Sequence, residues 1–175
     1  MLYPEVDSLG NLSGQWWVAH TKARFEKAFA WELLHHDVSY FLPMIQRVRI
    51  SSGRSRKRRV LLPLFPSYVF IRGSEEDRLT AIKTNRLCRI IEVPDQDKLT
   101  DELVAIEMVL ANGVDMDLHP HAAVGQRCRI RSGPMHGLEG VVVRRNRKAR
   151  IVLEVAILGQ GASMEIDADL LEAIE

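Results

Sequence analysis

Residues 47–73 read RVRISSGRSRKRRVLLPLFPSYVFIRG, and this stretch limits the possible folds more than any other. Seven basic side chains (Arg47, Arg49, Arg54, Arg56, Lys57, Arg58 and Arg59) run directly into Leu61, Leu62, Leu64, Phe65, Tyr68, Val69 and Phe70. The first half reads as a cationic hairpin tip and the second as a core strand. Their adjacency points to a surface that holds two partners side by side.

The charge distribution sharpens this reading. Formal net charge is only +1, yet between Asp37 and Glu75 there are eight Arg or Lys and no carboxylate. From Glu92 to Asp117 the bias reverses, with eight carboxylates against Lys98 alone. One face is therefore expected to meet a polyanion while another turns away from it. At 175 residues, 46% of them hydrophobic, the chain is long enough for one or two globular domains. No apolar run approaches the ~20 residues that a membrane-spanning helix needs. The start, MLYPEVDSLGNLSG, has neither a basic n-region nor an apolar h-region, so residues 1–13 are expected to be a disordered leader and not a signal peptide. Cys88 and Cys128 form no CxxC or zinc spacing and are expected to be two buried, reduced thiols of a cytoplasmic chain.

Periodicity predicts the elements. WWVAHT (16–21) reads as a first strand, and residues 23–36 as a helix carrying Phe25, Ala28, Phe29 and Leu33 on one face. VSYFLP and IQRVRIS read as strands leading to a basic tip centred on Gly53, and SYVFI as a further strand. Ser74, followed by Glu75, Glu76 and Asp77, predicts a helix start, and RIIEV a strand. Thr100 is expected to cap a third helix with Leu103, Ile106 and Leu110, ending at Asn112–Gly113. The order β-α-β-β-β-α-β-α predicts an α+β domain over residues 14–113, an antiparallel-rich sheet with helices packed on it. Residues 114–122 read as a linker. RCRIR, GVVVRR, ARIVLEVAI and SMEID then predict a small β-barrel over residues 123–175.

Among candidate sites, catalytic chemistry falls away first. The six histidines lack HExxH or histidine–carboxylate spacing, and no GxSxG, Walker or GxGxxG string occurs. No catalytic residue, metal site or cofactor is expected. The basic loop is stronger: it could be a solvated hairpin tip that discourages edge pairing, but dense arginine without counter-charge is costly unless phosphate lies near. In the strand after it, alternation places Tyr68 and Phe70 on one face and Val69 and Ile71 on the other. If the helices cover Val69 and Ile71, then Tyr68, Phe70, Phe65 and His20 are left as an exposed aromatic patch, the mark of a protein interface.

WWVAHTKARFEKAFAWEL, YFLPMIQ, a basic hairpin and PLFPSYVFIRG, in that order, resemble the N-terminal domain of the NusG family of transcription elongation factors. VGQRCRIRSGPMHGLEGVVV resembles that family's second module, the KOW motif, through Gly125, Gly133, Pro134, Gly137 and Gly140, with Gly140 expected where the backbone bends between strands. PLFPSY and LPMI are similar to the specialised RfaH-like paralogues. The resemblance implies a cytoplasmic, monomeric elongation or antitermination factor that acts without catalysis. His20, Phe65, Tyr68 and Phe70 would dock on the clamp helices of the largest subunit of bacterial RNA polymerase. Lys22, Arg24, Arg54, Arg56, Lys57, Arg58 and Arg59 would lie along upstream or non-template DNA. The KOW barrel would recruit a small-subunit ribosomal protein or Rho. An RNA- or ribosome-binding KOW protein with a structural role is the other reading, and it has no use for an exposed aromatic face.

Overall fold

The aromatic and β-branched run at residues 16–21 becomes the heart of a sheet in the computed structural model, which describes residues 1–50, 52–53 and 56–175. Contacts divide the chain into two units, Met1–Gln96 and Asp97–Glu175. The first contains β1 (Leu2–Tyr3), β2 (Gln15–Thr21), α1 (Glu26–His35), β3 (Ser39–Phe41), β4 (Met44–Ile50), β5 (Lys57–Pro63), β6 (Tyr68–Gly73), α2 (Glu75–Lys83) and β7 (Leu87–Glu92). Five strands form an antiparallel sheet in the order β1-β3-β6-β2-β7, and β4 pairs with β5 in a separate two-stranded ribbon.

Alternation in the central strands decides the core. Val69 and Ile71 of β6 and Ala19 of β2 face Phe29, Ala30 and Leu33 of α1 and Ala81 of α2, all of them buried. The first helix begins later than its periodicity predicts, because Arg24 takes a left-handed backbone (φ 65°) that ends any continuation upstream. Phe25 is therefore at the N-cap and exposed, with the Arg86 guanidinium 5.2 Å from its ring centroid. The predicted start of the second helix is present as a reciprocal capping box. The Asp77 amide donates to Ser74 Oγ at 3.2 Å, and the Ser74 amide donates to Asp77 Oδ2 at 2.7 Å.

Two expectations for this unit are corrected. The leader is ordered: β1 pairs with β3 through Leu2↔Phe41 and Tyr3↔Tyr40, and Leu9 and Leu12 are buried. The open edge of β3 offers backbone donors and acceptors, and the leader satisfies them, with Met1 and Leu42 exchanging N–H···O bonds of 2.6 and 2.7 Å. Cys88 is exposed, since β7 is the edge strand, whereas Cys128 is buried as expected.

The next helix, α3 (Gln96–Ala111), begins at the last residue of the first unit and has its body in the second. It is followed by β8 (Asp117–His119), β9 (Gln126–Ile130), β10 (Glu139–Arg145), β11 (Lys148–Val155), β12 (Gln160–Asp167) and β13 (Leu171–Ala173). The helix starts four residues before the expected cap, so Thr100 lies inside it. Leu99, Leu103, Ile106 and Val109 form its buried stripe, and Gly113 (φ 69°) supplies the expected left-handed stop. Its body groups by contacts with the second unit, so the contact division falls at residue 96 and the expected domain boundary at 113. The strands form a six-stranded antiparallel sheet in the order β13-β9-β10-β11-β12-β8. The expected linker at 114–122 thus contains a strand. Its lack of side-chain periodicity concealed backbone pairing, with Leu118 opposite Ala162 on the edge of β12.

Candidate functional site

Three neighbouring strands bring one row of side chains to the surface of the first unit. His20 of β2 lies opposite Tyr68 of β6 and, on its other side, opposite Arg89 of β7. Residues directly opposite share a face, so Tyr68, His20 and Arg89 line the face away from Val69 and Ile71. The His20 and Tyr68 rings stack with centroids 5.0 Å apart and planes at 21°, both half-buried, and Arg89 is exposed. Arg89 escapes sequence reading because β7 reaches β2 only after a helix, and no local signal sets that register.

The turn before Tyr68 is held from α1. Ser67 has a left-handed backbone (φ 68°), and its amide donates to Glu26 Oε1 at 2.7 Å, while its carbonyl accepts from the Thr21 amide at 2.8 Å. Glu26 is only 7% exposed, and this turn occupies its carboxylate. A carboxylate at the first turn of a helix also suits the dipole there.

The broad aromatic patch expected from the pattern is corrected by burial. Phe65 is 1% and Phe70 0% exposed, so only His20 and Tyr68 of the four expected docking residues reach the surface. The reason is the path between β5 and β6. Leu64 N donates to Pro43 O, and Phe65 folds back edge-on against Phe70, with centroids 6.3 Å apart and planes at 89°. On its other side Phe70 stacks with Phe41 at 6.5 Å. The rings share a face with Tyr68 as predicted, but that face is closed over Trp16, Val18, Phe41 and Phe70 and reaches solvent at the Tyr68–His20–Arg89 end.

The cationic loop is mostly strand. Lys57, Arg58 and Arg59 belong to β5, and they and Arg56 are exposed; Arg54 lies outside the described residues. Register gives the ribbon two faces. Arg47, Arg49 and Arg58 share one, and Arg49 stands directly opposite Arg58. The other combines Lys57 and Arg59 with Val48, Ile50 and Leu61, which are 56%, 71% and 53% exposed. Like charges directly opposite each other destabilise a strand pair, and among the described residues no carboxylate pairs with Arg49 or Arg58. An isolated two-stranded ribbon is marginal by itself, so this one gives up stability for surface charge. Lys22 is exposed but tied, its Nζ donating to Asn85 O at 2.8 Å; Arg24 is exposed beside it.

In the second unit, Gly133, Pro134 and Gly137 form the β9–β10 turn, and Gly125 precedes β9. The Gly137 amide donates to Ile130 O at 2.9 Å with φ 88°, a backbone that a Cβ would strain. Gly140 lies within β10 and not at a bend. A Cβ there would meet Val152 O at 2.7 Å and Ile151 Cγ1 at 2.8 Å, so its role is close strand approach.

The family model described as "Transcription termination factor nusG" matches residues 14–107. The chain belongs to the NusG family. Its members are transcription factors and not enzymes. The match includes most of α3, so the family pattern extends past the contact boundary at residue 96. The structure of Thermotoga maritima NusG is 18% identical, covers 92% of this chain and 97% of its own, and superposes with a TM-score of 0.50. That likeness supports the fold: an NGN-type α+β domain followed by a small antiparallel β domain. A chain of an MjSpt4:Spt5 complex is 16% identical over 91% of this chain and 97% of its own; its TM-score of 0.29 is too low to inform the fold. No curated protein matches the sequence significantly. Among the described residues no helix is long and apolar enough to cross a membrane.

Proposed function

We propose that this NusG-family chain is a cytoplasmic elongation or antitermination factor that seats the Tyr68–His20 row on the clamp helices of the largest subunit of RNA polymerase. The observation that carries the reading is the stacked pair left open at one end of an otherwise closed sheet face. A half-buried tyrosine held rigid by a neighbouring ring presents apolar area at little entropic cost. Phe65 and Phe70 act beneath it as support. Arg89, in register with His20, adds a cation at the rim.

The basic ribbon would then lie along upstream or non-template DNA, with Lys22, Arg24, Arg56, Lys57, Arg58 and Arg59 on phosphates. Backbone contacts of this kind give affinity without reading sequence. Binding across the polymerase would favour its closed, unpaused state by differential affinity, with no bond made or broken. The β domain, as the resemblance to the KOW motif implies, would hold either a small-subunit ribosomal protein or Rho. The factor would work as a monomer.

The test is co-purification with core polymerase. His20→Ala with Tyr68→Ala should lose capture by at least about thirtyfold, since one central interface aromatic is worth roughly 2 kcal/mol or more. Retained capture by a folded double variant would refute the docking row. Separately, replacing Arg56, Lys57 and Arg58 by Gln should flatten the dependence of log K on log salt for duplex DNA by about 2–3, near 0.9 per lost phosphate contact. An unchanged slope would return the ribbon to a solvated edge.

A further inference from the structure

A second cationic turn lies at residues 144–148, where Arg144, Arg145, Asn146, Arg147 and Lys148 join β10 to β11, all exposed. The second unit carries more carboxylates than cations, so this cluster does not follow from a basic composition. Elsewhere in the sheet the arginines have carboxylate partners, and Arg131, just past β9, donates to the Asp169 carbonyl at 2.6 Å. Arg129 donates to Glu139 Oε1 at 2.6 Å and Arg127 to Glu139 Oε2 at 3.2 Å, and the Arg129 hydrogen bond holds the Glu139 carboxyl below its usual range. At the base of the turn, Arg144 and Arg150 both hold Glu165, at 2.9 and 3.2 Å, and Arg150 also donates to Ser163 Oγ. Beyond that base, Arg145, Arg147 and Lys148 have no ion pair among the described residues, even though Asp167 stands opposite Lys148 in register.

The turn is also built to hold its shape. The Asn146 amide donates to Lys148 O at 3.2 Å, and the Ala168 amide donates to Arg147 O at 3.3 Å, tying the turn to the segment after β12. A register shift between Val142 and Arg144 twists the strand leading into it. We propose that this turn is a second nucleic-acid contact, gripping the phosphodiester backbone through Arg145, Arg147 and Lys148. The turn carries no apolar residue, whereas a protein partner would need a desolvated apolar centre to bind tightly. Unpaired guanidinium forks match phosphate oxygens directly. Binding at this turn does not depend on polymerase docking.

The test uses the full chain with the Arg56, Lys57 and Arg58 ribbon already replaced by Gln, so that nucleic acid held by the first unit is removed from the signal. Fluorescence anisotropy with labelled oligo-uridine, oligo-thymidine and a duplex DNA follows log K against log salt. Arg145→Gln with Arg147→Gln and Lys148→Gln should flatten the slope by about 2 on single strands, near 0.7 per lost phosphate. Arg145→Lys with Arg147→Lys should keep most of it. Loss on oligo-uridine alone makes the ligand RNA, and equal loss on all probes makes it any phosphodiester chain. An unchanged slope and affinity on all three probes overturns the proposal. So does loss of binding to poly-glutamate with nucleic acid unaffected. Polymerase capture should be the same before and after these substitutions, which separates failure here from failure of the docking row.

Discussion

Phe70→Ala is expected to destabilise the first unit by about 3–5 kcal/mol, the usual cost of emptying a fully enclosed phenylalanine site. Its ring is 0% exposed, in edge contact with Phe65 and stacked with Phe41, so little is free to collapse into the cavity. Tyr68→Ala, two residues earlier on the same face, should cost less, about 1 kcal/mol for the aromatic pair, since Tyr68 is only partly buried. Trp16, Trp17 and Trp31 all lie in the first unit, so tryptophan fluorescence during urea titration reports that unit selectively. The midpoint should fall steeply for Phe70→Ala and barely for Tyr68→Ala, while polymerase capture should fail for both. The same loss of capture would then have two causes, a damaged core and a missing contact. Equal midpoints for the two variants would mean that Phe70 is not the support assigned to it.

The contrast between these neighbours also marks how far the sequence could be read. Period-two alternation correctly separated Val69 and Ile71 from Tyr68 and Phe70, because a strand has no other way to place its side chains. The Ser74 cap and the Gly113 stop were legible for the same local reason: each satisfies backbone groups within a few residues of itself. What alternation cannot supply is the cover on a sheet face. Phe65 and Phe70 read as exposed because nothing near them in sequence announces that the chain after β5 folds back over β6. Arg89, β8 and the ordered leader were hidden likewise, each placed by pairing with a strand distant in the chain. The charged ribbon was legible in composition, but its two faces emerge only from the register of β4 with β5.

Glu26→Ala is expected to remove about 1.5–3 kcal/mol of stability, the range for a hydrogen bond to a charged group. The loss should concentrate on the turn that presents Tyr68. Ser67 sits at φ 68°, a conformation that costs a non-glycine residue roughly 1–3 kcal/mol and persists only where surrounding contacts impose it. Two contacts do so here: the Glu26 carboxylate on its amide and the Thr21 amide on its carbonyl. Without the first, the Ser67 amide should lose protection in hydrogen exchange, and polymerase capture should weaken although Tyr68 is intact. Glu26→Gln keeps an acceptor oxygen and should retain most of both. Ser67→Gly relieves the backbone cost directly, so adding it to Glu26→Ala should recover part of the stability and the capture together. If Glu26→Ala leaves Ser67 exchange unchanged, the turn is held by its own backbone contacts. Helix α1 then has no part in positioning the docking tyrosine.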